Sequence, residues 1–229
     1  MVCFLIQVVI LLAFFSSHST KSRVFSLGSM SSIAVSYGEN GPVFCALSSD
    51  GSHSVSCVGA DNSIVYGAPS RLPLYGLTAG DSFVCGLLLD SKQPYCWGSN
   101  FYVKMGIPQP MEEGAAYSSI SAGDHHLCGL RIPTEESHEG TSVIDCWGYN
   151  MTSSHEFGAR ISSITAGSVF NCGLFEHNLS AFCFGDETGS NVISLIPRGL
   201  SFQAISAGGF MFVGSWRVFR CFVGGGVWG

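Results

Sequence analysis

The chain has 229 residues, 46% of them apolar and only 11% charged. That is too little charge to solvate long helical faces, and too apolar for a disordered, collagen-like or coiled-coil chain. The net charge of −6, from 10 basic and 16 acidic residues, offers no basic patch to screen phosphates, which argues against nucleic acid or an anionic membrane surface as a partner.

The first predicted element is a leader. Val2 to Phe15 form an apolar run broken only by Gln7, followed by the small or polar Ser16, Ser17, His18, Ser19 and Thr20. A spanning helix needs about 20 residues, so this shorter run predicts a secretory signal peptide within a leader of residues 1–25, cleaved after Ser19 or a few residues later. Its n-region lacks Lys and Arg, a departure from the signal pattern. The later apolar stretch from Phe210 to Gly229 is interrupted by Arg217 and Arg220, and no membrane span is expected after processing.

From residue 26 to 210 the chain repeats itself. The units read Leu77-Thr-Ala-Gly-Asp-Ser-Phe-Val-Cys85-Gly-Leu, Ile120-Ser-Ala-Gly-Asp-His-His-Leu-Cys128-Gly-Leu and Ile164-Thr-Ala-Gly-Ser-Val-Phe-Asn-Cys172-Gly-Leu, with a fourth from Ile205 to Gly214. A degenerate first unit starts at Ile33. The leading aliphatics at 33, 77, 120, 164 and 205 are spaced by 44, 43, 44 and 41 residues. The units close on Cys96-Trp-Gly, Cys146-Trp-Gly and Cys183-Phe-Gly. With 29 glycines and 17 phenylalanines, a period of roughly 40–50 residues predicts the short strands and tight turns of β-propeller blades. The expected units lie near 33–74, 75–117, 118–161 and 162–202, with a partial one from 203 and a divergent tail over 211–229.

Of ten cysteines, Cys3 lies in the leader and Cys221 is left over. The other eight fall into consecutive pairs: Cys45 and Cys57, Cys85 and Cys96, Cys128 and Cys146, Cys172 and Cys183. A two-residue turn at Asp90-Ser91 or His177-Asn178 would set the flanking cysteines directly opposite on antiparallel strands, with Cα atoms about 4.5–5.5 Å apart, within disulfide reach. Cys128 and Cys146 enclose a longer polar loop, Arg131 to Thr141. Intra-blade disulfides in an oxidising compartment follow. Zinc is disfavoured, because structural sites place cysteines about two to four residues apart. Asn150-Met-Thr and Asn178-Leu-Ser are acceptor sequons for glycosylation.

No catalytic constellation emerges. His125 and His126 are adjacent, so in a strand they point to opposite faces, one into the core and one out. There is no Gly-x-Ser-x-Gly elbow, and the sparse acidic residues show no hydrolase pairing. Gly224 to Gly229 mimics a phosphate loop with no helix behind it. Trp97 and Trp147 could meet a sugar face, but a repeated Trp-Gly reads more simply as core packing. Asp81 and Asp124 read as turn residues. No enzyme activity, metal or cofactor is expected.

The units Ser-Ala-Gly-Asp-His-His-Leu-Cys-Gly-Leu and Asp-Cys-Trp-Gly-Tyr-Asn resemble the repeats of the regulator-of-chromosome-condensation superfamily of seven-bladed propellers. Taken with Gly28-Ser-Met-Ser-Ser-Ile-Ala-Val-Ser-Tyr-Gly, Tyr66-Gly-Ala-Pro-Ser-Arg, Gln93-Pro-Tyr-Cys-Trp-Gly-Ser-Asn and Ser168-Val-Phe-Asn-Cys-Gly-Leu-Phe, residues 26 to 210 are similar to the extracellular repeat region of plant Crinkly-type receptor-like kinases. The resemblance implies a signalling ectodomain, followed in that family by cysteine-rich modules, a transmembrane helix and a cytoplasmic Ser/Thr kinase. It implies a role in epidermal and stem-cell patterning. The implied partner is an extracellular peptide ligand or a receptor ectodomain. The implied location is the secretory pathway, then the cell exterior or the outer side of the plasma membrane. The chain carries no Val-Ala-Ile-Lys, His-Arg-Asp or Asp-Phe-Gly and is not expected to transfer phosphate. The runner-up is a secreted lectin-like or peptide-binding propeller unrelated to a kinase.

The fifth unit departs from the pattern. Val213 stands where a cysteine is expected, and Cys221-Phe-Val replaces Cys-Trp-Gly, which predicts a truncated or frame-shifted product. Seven blades of about 42 residues need roughly 290. The expected fold is therefore all-β: an incomplete propeller of about four blades plus part of a fifth. Its uncovered blade faces predict poor stability or self-association.

Overall fold

The computed structural model describes residues 30–105, 108, 113–134, 140–148, 153–186, 191–209, 211–215 and 221–225. The expected leader, its cleavage point and Asn150 lie outside them. Each repeat folds as one antiparallel meander. The first sheet holds β1 (Ile33–Ser36), β2 (Val43–Leu47) and β3 (Val55–Gly59); the second β4 (Leu74–Gly80), β5 (Phe83–Leu88) and β6 (Pro94–Gly98). The third holds β7 (Tyr117–Ala122), β8 (His126–Arg131), β9 (Ser142–Gly148) and β10 (Ser153–Phe157). The fourth holds β11 (Ile161–Ala166), β12 (Phe170–Phe175) and β13 (Ala181–Gly185); the fifth β14 (Ala204–Gly208), β15 (Met211–Ser215) and β16 (Cys221–Gly225). The division expected at residue 210 thus cuts through a hairpin. Backbone pairing needs no cysteine, and Val213 faces Val223 where the other sheets set cysteine against cysteine.

The first strands of all five sheets, β1, β4, β7, β11 and β14, line one central cavity of about 170 Å³, so the sheets stand as blades around an axis. Among the described residues no strand pairing or bridge joins the fifth sheet to the first. The middle strands β5, β8 and β12 are buried along almost their whole length because neighbouring blades cover both their faces. In β5, Val84 packs back against Ala34, Val43, Ile64 and Trp97, while Phe83 and Leu87 pack forward against Tyr117, Ile120 and Trp147. Leu130, Ile144 and Ile164 form the core between the third and fourth sheets, and Phe170, Phe202 and Phe212 that between the fourth and fifth. Each such side chain contributes roughly 1.5–3 kcal/mol of burial. The first sheet leaves Ile33, Phe44 and Val58 exposed on its outer face.

The recurring Ser/Thr-Ala dipeptide has a specific task. Thr78 Oγ1 accepts from the N–H of Ala122 (2.9 Å), Ser121 Oγ from that of Ala166 (2.8 Å), and Thr165 Oγ1 from that of Ala207 (2.9 Å). Each inner strand is hooked to the next blade. Ala34 occupies this place in the first repeat, and there Ser31 and Leu77 exchange backbone hydrogen bonds instead.

Disulfides Cys45–Cys57, Cys85–Cys96, Cys128–Cys146 and Cys172–Cys183 join the second and third strands of the first four sheets. Their Cα atoms lie 4.0 to 4.1 Å apart, closer than expected for facing strand positions. The turns also differ from expectation. Hydrogen bonds from Leu88 N–H to Gln93 O and from Lys92 N–H to Leu88 O close a four-residue loop, and the same pair recurs at Phe175, Leu179 and Ser180. A two-residue hairpin turn wants glycine at its centre. Neither Asp90-Ser91 nor His177-Asn178 supplies one, and the left-handed residue falls at Lys92 (φ +56°) or Leu179 (φ +55°). Replacing both Cys172 and Cys183 by Ala is expected to cost about 3 kcal/mol, the loop-closure value for so short a loop, read from the urea midpoint without reductant.

Among the described residues only the third sheet has a fourth strand, and a buried charge helps to hold it. Asp145, fully buried in β9, accepts from Tyr117 Oη (2.7 Å), Arg131 Nε (3.0 Å) and Nη2 (2.8 Å), and from the Ser154 hydroxyl. One carboxylate therefore ties β7, β8 and β10 to β9.

Candidate interaction face

The turns that follow the five inner strands converge at one end of the axis. Tyr37, Asp81, Asp124, Gly167 and Gly209 line the opening. Backbone hydrogen bonds lace them together: Ser82 N–H to Tyr37 O (3.1 Å), Asp81 N–H to Asp124 O (2.9 Å), and Ser168 N–H to Gly209 O (2.7 Å). Close approach demands glycine here. A Cβ on Gly80 would lie 2.2 Å from Gly123 O, and one on Gly123 would lie 2.3 Å from Gly167 O.

Two one-turn helices begin at the same end, α1 (Asn62–Val65) and α2 (Phe101–Lys104). Their caps double as inter-blade ties. Asp61 caps α1 by accepting from Ser63 N–H, and also accepts from Asn40 of the first sheet's turn and Ser99 beyond β6. Burial pushes the Asp61 carboxyl up, but these hydrogen bonds outweigh it and hold it below the usual range. Asn100 caps α2 through Oδ1, while its Nδ2 donates to Asp81 O (2.8 Å) and lies 3.2 Å from His125 Nδ1. His125 Nε2 stands 3.8 Å from Asp81 Oδ2, both side chains half exposed. Asp124 accepts from the Ser168 hydroxyl. The result is a hydrogen-bonded floor with two carboxylates, with Tyr37 exposed on its lining and Phe101 exposed at the start of α2.

The residues singled out from sequence separate by this geometry. Asp81 and Asp124 sit in the turns and shape the opening. Trp97 and Trp147 are 5% and 3% exposed and pack between sheets, Trp97 Nε1 donating to Ile64 O. The cysteines are on the strands between blades, away from the opening. Asn178 is exposed on the loop between β12 and β13, at the opposite end of the axis. Among the described residues no cluster of His, Cys, Asp and Glu could hold a metal ion, and no helix is long and apolar enough to cross a membrane. Tyr37 and Asn100 were missed. Asn100 had a signal, because Asp61 and Asn100 each stand four residues after a third-strand cysteine.

The two histidines diverge. His125 is exposed in the turn, whereas His126 is buried at the start of β8 with Nε2 hydrogen-bonded to Asn171 Oδ1 across the next interface (3.1 Å). Burial pushes the His126 imidazole below its ordinary value of 6.5; Asn171 and the Asp124 charge oppose this, and His125 adds to it. A histidine held neutral in the fold stabilises fully above the unfolded value, and that stability is lost as pH falls below it. The melting temperature should drop from pH 7 to pH 5, with a slope of at most about 1.4 kcal/mol per pH unit from this group. Phe83 and Phe170 hold the same place in the neighbouring repeats, so His126→Phe should fold and flatten that slope.

The chain matches no family model. It is 53% identical to the CRINKLY WD40 ectodomain of the Arabidopsis thaliana receptor kinase ACR4, covering 87% of this chain and 73% of that structure, with a TM-score of 0.80. Against the entire ectodomain of the Physcomitrella patens receptor kinase CR4 it is 52% identical, with a TM-score of 0.79, covering 87% of this chain and 54% of that one. The curated Arabidopsis thaliana serine/threonine-protein kinase-like protein CCR2 is 23% identical over 206 residues, which are 81% of this chain but 26% of the relative; the chain thus spans about a quarter of that relative's length. Yeast RCC1 (Prp20), solved bound to Kap60, shares the fold alone, at 14% identity and a TM-score of 0.59 over 80% of this chain and 54% of that one.

Proposed function

Since the chain belongs to the Crinkly family of receptor-kinase ectodomains, we propose that it is the ligand-sensing extracellular domain of a receptor kinase in developmental signalling, and that it binds its partner at the axis opening. The partner chemistry that fits is a basic, apolar-flanked peptide or ectodomain loop. One observation carries this reading: exposed Tyr37 lines the same opening as Asp81 and Asp124, on a floor of inter-blade hydrogen bonds, and exposed Phe101 directly follows the Asn100 that donates to Asp81 O. Aromatic anchors on a rigid base are what interface hot spots use. Carboxylates at the rim would steer a cationic segment. The lectin-like alternative loses its main support, because both repeat tryptophans are buried in the core.

The test is selection of binders from a display library of random linear peptides against the secreted, folded chain. Selected peptides should be rich in Lys and Arg. Tyr37→Ala with Phe101→Ala should weaken them at least about tenfold, and Asp81→Asn with Asp124→Asn should slow association and flatten its salt dependence. Tyr75→Ala, on an exposed ring at the other end of β4, should change nothing. Binders sensitive only to Tyr75, or binding on a glycan array without any peptide enrichment, would overturn the assignment.

A further inference from the structure

We infer that Asn178 carries an N-linked glycan, and that the end of the propeller opposite the axis opening is therefore the sugar-covered, solvent-facing end. Asn178 is exposed in the four-residue loop after β12. Its Oδ1 accepts from both the N–H (2.9 Å) and the hydroxyl (2.8 Å) of Ser180, the third residue of the sequon, and its backbone carbonyl accepts from Ser201 Oγ (2.7 Å). Every acceptor of the residue is thus occupied on the protein side, while Nδ2 makes no hydrogen bond and is free for substitution. A sugar on Nδ2 breaks no contact and buries no charge. Asn100, by contrast, spends its Nδ2 on Asp81 O.

The reaction transfers an oligosaccharide from a lipid pyrophosphate donor. The Asn178 Nδ2–C1 bond forms, the C1–O bond to pyrophosphate breaks, the lipid pyrophosphate leaves, and Nδ2 gives up one proton. The inference does not rest on the docking face: a bare Asn178 would leave that reading intact, and failed peptide selection would leave this one intact.

The test uses the full chain secreted from plant cells. Peptide mapping after release with a peptide-N-glycosidase in heavy-oxygen water should show heavy-labelled aspartate at position 178. The mobility shift on release should diminish in Asn178→Gln and Ser180→Ala, and persist in Ser180→Thr. The map is read on the unsubstituted chain, so it decides even where a variant is not secreted. An unmodified Asn178, with or without a sugar at Asn150, would overturn the inference.

Discussion

Asp145→Ala is expected to lower stability by about 3–5 kcal/mol, the cost of breaking a buried ion pair by removing one member. Arg131 is only 17% exposed at its side chain, and it, Tyr117 and Ser154 all donate to this carboxylate. Removing the carboxylate takes a buried acceptor from a guanidinium and two hydroxyls and leaves β10 held to β9 by its backbone ladder without the Ser154 tie. Chemical denaturation should show the loss, and amide exchange should show it first in β10. The neighbouring repeats indicate a rescue. Leu88 and Tyr95 stand in the second sheet where Arg131 and Asp145 stand in the third, and Phe175 and Phe182 stand there in the fourth. Arg131→Leu combined with Asp145→Tyr should therefore recover most of the deficit, since apolar replacement of a complete buried pair is often neutral. A double variant as unstable as the single one would show that the charges do more than fill this seam.

Gly123→Ala is the second large effect, about 3 kcal/mol from overpacking. Its added Cβ would lie 2.1 Å from His126 Cε1 and 2.3 Å from Gly167 O. The second obstacle is backbone of the next blade, so relief requires the third and fourth sheets to separate at the axis. Gly158→Ala, which meets nothing within 4 Å, serves as the control and should be within about 0.5 kcal/mol of the parent. A thermal melt of both variants checks this. The same shift should weaken any partner bound at the axis opening, because Asp124 sits on that turn.

Much of this architecture is legible in the repeat. A period near 43 residues and paired cysteines imply hairpin register, because a one-residue slip would turn every second-strand cysteine away from its partner. What escaped is whatever the repeat does not share. Asp145 occurs once in a place held by Ser56, Tyr95 and Phe182 in the other cysteine-bearing repeats, so no periodicity announced the network around it. The fifth sheet lacks a facing cysteine pair but keeps the pairing of β14, β15 and β16, since ladder hydrogen bonds come from the backbone. The four-residue loops escaped because Lys92 and Leu179 are unusual occupants of a left-handed position. The cap at Asp61 and Asn100 was readable from its fixed offset after the cysteine, and so was the exchange of phenylalanine for His126.

The Ser/Thr hooks all run one way, each hydroxyl accepting from the blade that follows. Ser206 is next in that series; it is exposed and makes no such bond. At the other extremity the first sheet presents Ile33, Phe44 and Val58 instead. The arc is therefore polar, with two unlike ends. A two-fold contact would bring like ends together and match neither. Copies of this chain that meet through these ends must add head to tail, which yields a ring if the rotation closes and an open filament if it does not. Their association would then climb with concentration rather than saturate at a dimer.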